Sequence, residues 1–149
     1  MEITVTRQQF ITKAREWVGT PYHHQARLKH VGCDCIGLIV GVAREFGIEI
    51  DHEDFLHYGR SPRGNKLMEH CEKICGQAVQ VLLPATIAVF WMNAGTERAQ
   101  HMGVVTDSTP TTIIHCYNSL GIDRVVEHGL DAVWLKRWIC SYNLPFIVD

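Results

Sequence analysis

The chain has 149 residues, the length of one ordinary domain, so one active site built within a single core is expected. A composition of 46% hydrophobic and 20% charged residues excludes disordered and fibrous classes. The net charge of -2, with basic residues scattered, leaves no electrostatic footprint for nucleic acid or an anionic membrane. The first ten residues include Glu2, Thr4, Thr6, Arg7, Gln8 and Gln9, unlike an export signal, and apolar runs such as Ile87 to Met92 are too short to span a bilayer. Synthesis in the cytoplasm, without a signal peptide and with six cysteines as thiols, is the expectation.

Thr6 and Gln9 have the spacing of a capping box, and Phe10, Ile11, Ala14, Trp17 and Val18 recur at helical spacing until Gly19, which predicts an amphipathic helix. Thr20 to Gly32 follows neither period and reads as a loop over the surface or across a cleft. Asp34 is placed to cap a second helix, Cys35 to Phe46, with an apolar stripe of Leu38, Ile39, Val42 and Phe46 and small Gly37, Gly41 and Ala43. An acidic, aromatic connector around Asp51 to Tyr58 and a turn at Ser61 to Gly64 precede a short helix over Lys66 to Cys75. Thr86 to Met92, His101 to Thr106, Thr112 to Tyr117 and Arg124 to Glu127 then read as strands of an antiparallel sheet. Helices first and strands second, with no repeat or linker, predict one α+β domain over 1–149.

In Gly32-Cys33-Asp34-Cys35-Ile36-Gly37-Leu38, Cys35 falls in the first helical turn. The unpaired N–H groups there favour a thiolate and stabilise an oxyanion, with Asp34 opposing the first effect. Against this stands the commoner role of a free cysteine as a small buried hydrophobe. Zinc ligation by Cys33, Cys35, Cys71 and Cys75 is a further alternative, weakened because one residue between Cys33 and Cys35 is too few for a structural zinc pair.

A cysteine nucleophile needs a base that folding brings beside it. His101 opens one predicted strand and His115 lies within the next. Antiparallel pairing could bring them together, one contacting Cys35 and the other orienting the first. Each alone is more commonly a half-buried strand histidine with a backbone partner. His52, His57, His70 and His128 lie in polar connectors or at element ends and are assigned no role. His23 and His24, beside Tyr22 in the loop before Cys35, are candidates to line the cleft, as is Asp34.

Ala14-Arg15-Glu16-Trp17-Val18-Gly19-Thr20-Pro21-Tyr22, Asp34-Cys35-Ile36-Gly37-Leu38, His101-Met102-Gly103-Val104, Ile114-His115 and Val125-Val126-Glu127-His128, in this order, resemble the NlpC family of bacterial papain-like cysteine peptidases, most of all its phage and prophage branch. The resemblance implies a papain-like fold with N-terminal helices packed on a C-terminal antiparallel sheet. It implies Cys35 as nucleophile, His101 as base and then acid, His115 orienting it, Tyr22 near the oxyanion, and no metal or other cofactor. The implied reaction is hydrolysis of peptidoglycan stem peptides, often between D-glutamate and a diamino acid. Peptidoglycan peptides are the implied partner, with phage tail proteins a second that would carry an enzyme lacking an export signal to the wall. The sequence has Ile36 where many members have Ser, and Ala85-Thr86 where many have Gly-Asp. A thiol acyltransferase or amidase, and a non-catalytic wall-binding or tail-assembly module, are the alternatives.

Overall fold

The computed structural model describes residues 2–50, 66–93, 95, 98–119 and 122–149. The connector and turn expected within 51–65, with His52 and His57, lie outside them. Helix α1 (Arg7–Arg15) follows a two-residue strand β1 (Val5–Thr6) and starts at the expected capping box, Thr6 accepting from Gln9 N and Gln9 from Thr6 N. It ends before Trp17, because Gly19, at φ +94°, turns the chain into backbone pairing with β7 (Ile122–Gly129). Gly19 N donates to Val125 O, Val125 N to Thr20 O, and Tyr22 N to Asp123 O. The expected loop is therefore pinned at its start, and it contains a hairpin of β2 (Arg27–Leu28) and β3 (Gly32–Cys33).

Helix α2 (Cys35–Glu45) begins where the sequence placed it. Its glycines are steric requirements: a Cβ on Gly37 would stand 1.9 Å from Ala26 O, and one on Gly41 2.2 Å from the Trp17 ring. Trp17 packs in that gap and its indole N–H donates to Glu45, 2.8 Å away. Helix α3 (Lys66–Cys75) forms over the expected residues and buries Leu67 and Cys71.

The sheet has the order β7-β6-β5-β4-β8, antiparallel throughout, from β4 (Thr86–Phe90), β5 (His101–Ser108), β6 (Thr111–Ser119), β7 and β8 (Trp138–Asn143). β8 and the six-residue helix α4 (Ala132–Arg137) were not anticipated, nor was the parallel pairing of β1 with β9 (Ile147–Val148). Helices first, strands second thus needs correction at both ends of the chain, although the α+β class stands. Ala85, before β4, has φ +65°, a conformation that glycine adopts at less cost.

Strand alternation gives the sheet two faces. Ile87, Val89, Met102, Val104, Ile114, Cys116 and Val125 join α1 and α2 in the main core. Ala88, Phe90, Val105 and Ile113 form a second cluster under Trp134 of α4 and Trp138. Among the described residues no helix is long and apolar enough to cross a membrane.

Candidate active site

Asp34 fixes the start of α2. One carboxylate oxygen accepts from Gly37 N at 2.8 Å and the other from Gln25 N at 2.7 Å, so this 3% exposed side chain is a helix cap that also holds the preceding loop. His24 Nδ1 approaches it at 3.9 Å, and His23 Nδ1 donates to His24 O at 3.2 Å. Tyr22 pairs in a parallel β-bridge with Cys33, which lies two residues before the start of α2. The loop is thus tied to the two residues before Cys35, by the Tyr22–Cys33 bridge and by Gln25 N on Asp34.

The Cys35 thiol receives the N–H groups of Met102 and Ile36. Burial, and then the Asp34 charge, push its pKa up, and those two N–H groups pull it down. The helix start therefore does not produce the lowered pKa expected from sequence: the crowding around the sulfur and the capping carboxylate outweigh the N-terminal N–H groups. In this resting arrangement Cys35 is a neutral thiol.

His101 and His115 meet as expected, His101 Nε2 lying 2.7 Å from His115 Nδ1. Gly103 makes room for this, since a Cβ there would stand 3.0 Å from His115 Cβ and 3.1 Å from Ile114 O. Burial pushes His101 down to about 3, with His128 adding to the effect, and holds His115 well below the usual imidazole range. Both rings are neutral at pH 7. Among the described residues no hydrogen bond joins Cys35 to His101; the thiol lies instead on the backbone of the next residue, Met102. Contacts between a nucleophile and its base commonly tighten only when substrate is bound.

The sequence reading missed His128, which lies on β7 with its Nε2 2.7 Å from His115 Nε2 and its Nδ1 2.8 Å from Gly129 O. The signal was there: extending the predicted strand one residue past Glu127 puts His128 on the face of Val126, the cross-strand neighbour of His115. Trp134 covers the three imidazoles, its ring centroid 6.1, 5.1 and 5.7 Å from those of His101, His115 and His128. Among the described residues no three His, Cys, Asp or Glu side chains converge on a metal site.

No family profile and no curated protein matches the sequence. Solved structures do match the fold. The NlpC/p60 domain of the peptidoglycan hydrolase SagA superposes with TM-score 0.62 at 17% identity, over 94% of this chain and 100% of that one. An NLP/P60-family protein of Staphylococcus aureus, described as similar to lipoprotein, gives 0.60 at 18% over 100% of this chain, and an NlpC/P60 family protein of Bacillus cereus gives 0.65 at 16% over 95%. The chain spans 44% and 41% of the length of those two. This chain has the fold of the NlpC/P60 domain, an α+β papain-like architecture.

Proposed function

We propose that the protein is a cysteine peptidase that hydrolyses peptidoglycan stem peptides. The observation that carries this reading is a thiol at a helix N-terminus, on the backbone N–H of Met102, with the neighbouring residue His101 a buried neutral imidazole oriented by a second imidazole at 2.7 Å. His101 takes the thiol proton, Cys35 Sγ adds to the peptide carbonyl, and N–H groups at the start of α2, with the Tyr22 hydroxyl, hold the oxyanion. His101 returns the proton to the departing amine, leaving a thioester that water cleaves. The likeness to the NlpC/p60 domain of a peptidoglycan hydrolase supports the choice of substrate. The bond between D-glutamate and a diamino acid is the proposed scissile bond, and carriage to the wall on a phage tail the proposed route. Incubating the protein and its Cys35→Ala variant with stem peptides tests this by mass spectrometry. Cleavage by the parent alone is expected; cleavage by neither refutes it.

One observation favours a second reading. An apolar cavity lined by Ile36, Ile39, Cys71, Met102 and Tyr142 adjoins the residues that flank Cys35 and His101. A thiol acyltransferase would use such a surface for an apolar acyl group, and its product would carry the acyl chain on an acceptor other than water.

A further inference from the structure

The mechanism above uses two histidines, yet three are joined. The Gly129 carbonyl can only accept, so His128 Nδ1 carries the proton of that 2.8 Å bond. In a neutral His128 the other nitrogen, Nε2, then accepts, and the 2.7 Å contact requires His115 to donate from Nε2. His115 Nδ1 must in turn accept, so His101 donates from Nε2 across the next 2.7 Å contact. One backbone carbonyl thus sets three tautomers in series. His101 is left with Nδ1 bare, the state a base must be in to take a proton.

The chain runs from dry to wet. His101 is 6% exposed and His115 fully buried, whereas His128 is half-buried at the outer end. A positive charge is costly on the first two and hydrated on the third. We propose that His128 is the terminal proton holder of the site, receiving through His115 the charge that His101 would otherwise bear when Cys35 ionises.

The transfers balance. Cys35 loses its Sγ proton to His101 Nδ1, His101 passes its Nε2 proton to His115 Nδ1, and His115 passes its Nε2 proton to His128 Nε2. Each inner ring gives one proton and takes one, so both stay neutral. His128 becomes the imidazolium, still donating from Nδ1 to Gly129. Reversal returns a proton to the leaving amine.

The groups around the relay support this direction. Phe90 of β4, Tyr117 of β6 and Trp134 of α4 pack on the rings, and Cys35 of α2 supplies the thiol. The Arg137 guanidinium stacks on Trp134 at 5.5 Å, and Glu127, next to His128, is turned away to Arg15 of α1 at 3.1 Å. Among the described residues no carboxylate contributes to the shift of either buried ring.

The inference rests on the catalytic reading of Cys35 and His101, and its test needs no substrate. Iodoacetamide alkylation of Cys35, followed by peptide mass spectrometry from pH 5 to 10, reports thiolate formation. In His128→Gln the amide oxygen still accepts from His115, which preserves the tautomers, but it cannot hold the proton. Alkylation at pH 7 is expected to be roughly tenfold slower, the equivalent of about one pH unit. Superimposable profiles for parent and variant overturn the proposal. Imidazole ¹⁵N shifts of the folded parent at pH 7 give an independent reading, with Nε2–H expected on His101 and His115 and imidazolium character confined to His128. Imidazolium character on His101 instead overturns it. Hydrolysis of stem peptides is scored separately, so failure of the peptidase reading is distinguishable from failure of the relay.

Discussion

Acid should destabilise this protein well above the pH at which its carboxylates titrate. The His101 imidazole titrates near 6.5 when unfolded and at about 3 in the fold, burial being the main cause. Between those values the unfolded chain binds a proton that the folded chain refuses. Its contribution is therefore complete above pH 6.5 and is lost progressively as pH falls toward 3. At pH 5 the difference from the unfolded value is about one and a half pH units, so His101 alone costs about 2 kcal/mol at ~1.36 kcal/mol per unit. His115, shifted down for the same reason, adds to the loss. Glu16, lowered from 4.5 by Lys29, titrates below this window, and the buried thiols, raised from 9.0, titrate above it. Urea unfolding followed by far-UV circular dichroism at pH 7.5, 6.0 and 5.0 measures the effect. The parent should lose at least about 2 kcal/mol between the extremes, and His101→Gln about 2 kcal/mol less than the parent. A parent whose unfolding free energy changes by under about 0.5 kcal/mol would refute the reasoning.

Three substitutions probe the supports of the site. Gly37→Ala drives a methyl into Ala26 O, a backbone atom, and should cost about 3 kcal/mol in urea unfolding, at the top of the overpacking range. Gly103→Ala crowds His115 and Ile114 O; it should lower peptidase turnover about tenfold or more while costing only about 1–2 kcal/mol in thermal unfolding. Asp34→Asn keeps an acceptor for Gly37 but removes the charge that raises the Cys35 thiol, so alkylation of Cys35 at pH 7 should become faster. A slower reaction would mean that the carboxylate does not oppose ionisation.

Elements whose residues follow one period on one face were legible in the sequence: α2 and α3, and the four strands β4 to β7 to within a few residues. The contact of His101 with His115 was legible because neighbouring strands in an antiparallel sheet leave few places for a hydrogen-bond partner. Other features were not. Helix α4, with no buried residue, shows no apolar stripe, and β8 follows it without a turn signal. The β2–β3 hairpin rests on two ladder positions, too few for alternation to appear. The Cys35 thiol misled because propensity at a helix start is local, while the crowding that sets its protonation comes from chain distant in sequence.

The pairing of β1 with β9 gives the fold a mechanical character. Val5 lies beside Ile147 and Thr6 beside Val148, with the strands parallel and 142 positions apart, since 147 − 5 = 142. Tension applied at the two ends of the described chain would pull these strands past each other lengthwise, loading their hydrogen bonds together rather than one after another as in a peeled hairpin. Arg7 braces the same joint, bonded to both Asp149 and Pro84 O. A stretched chain would thus meet its first resistance in this short clasp, before force reached the strands that carry the histidines.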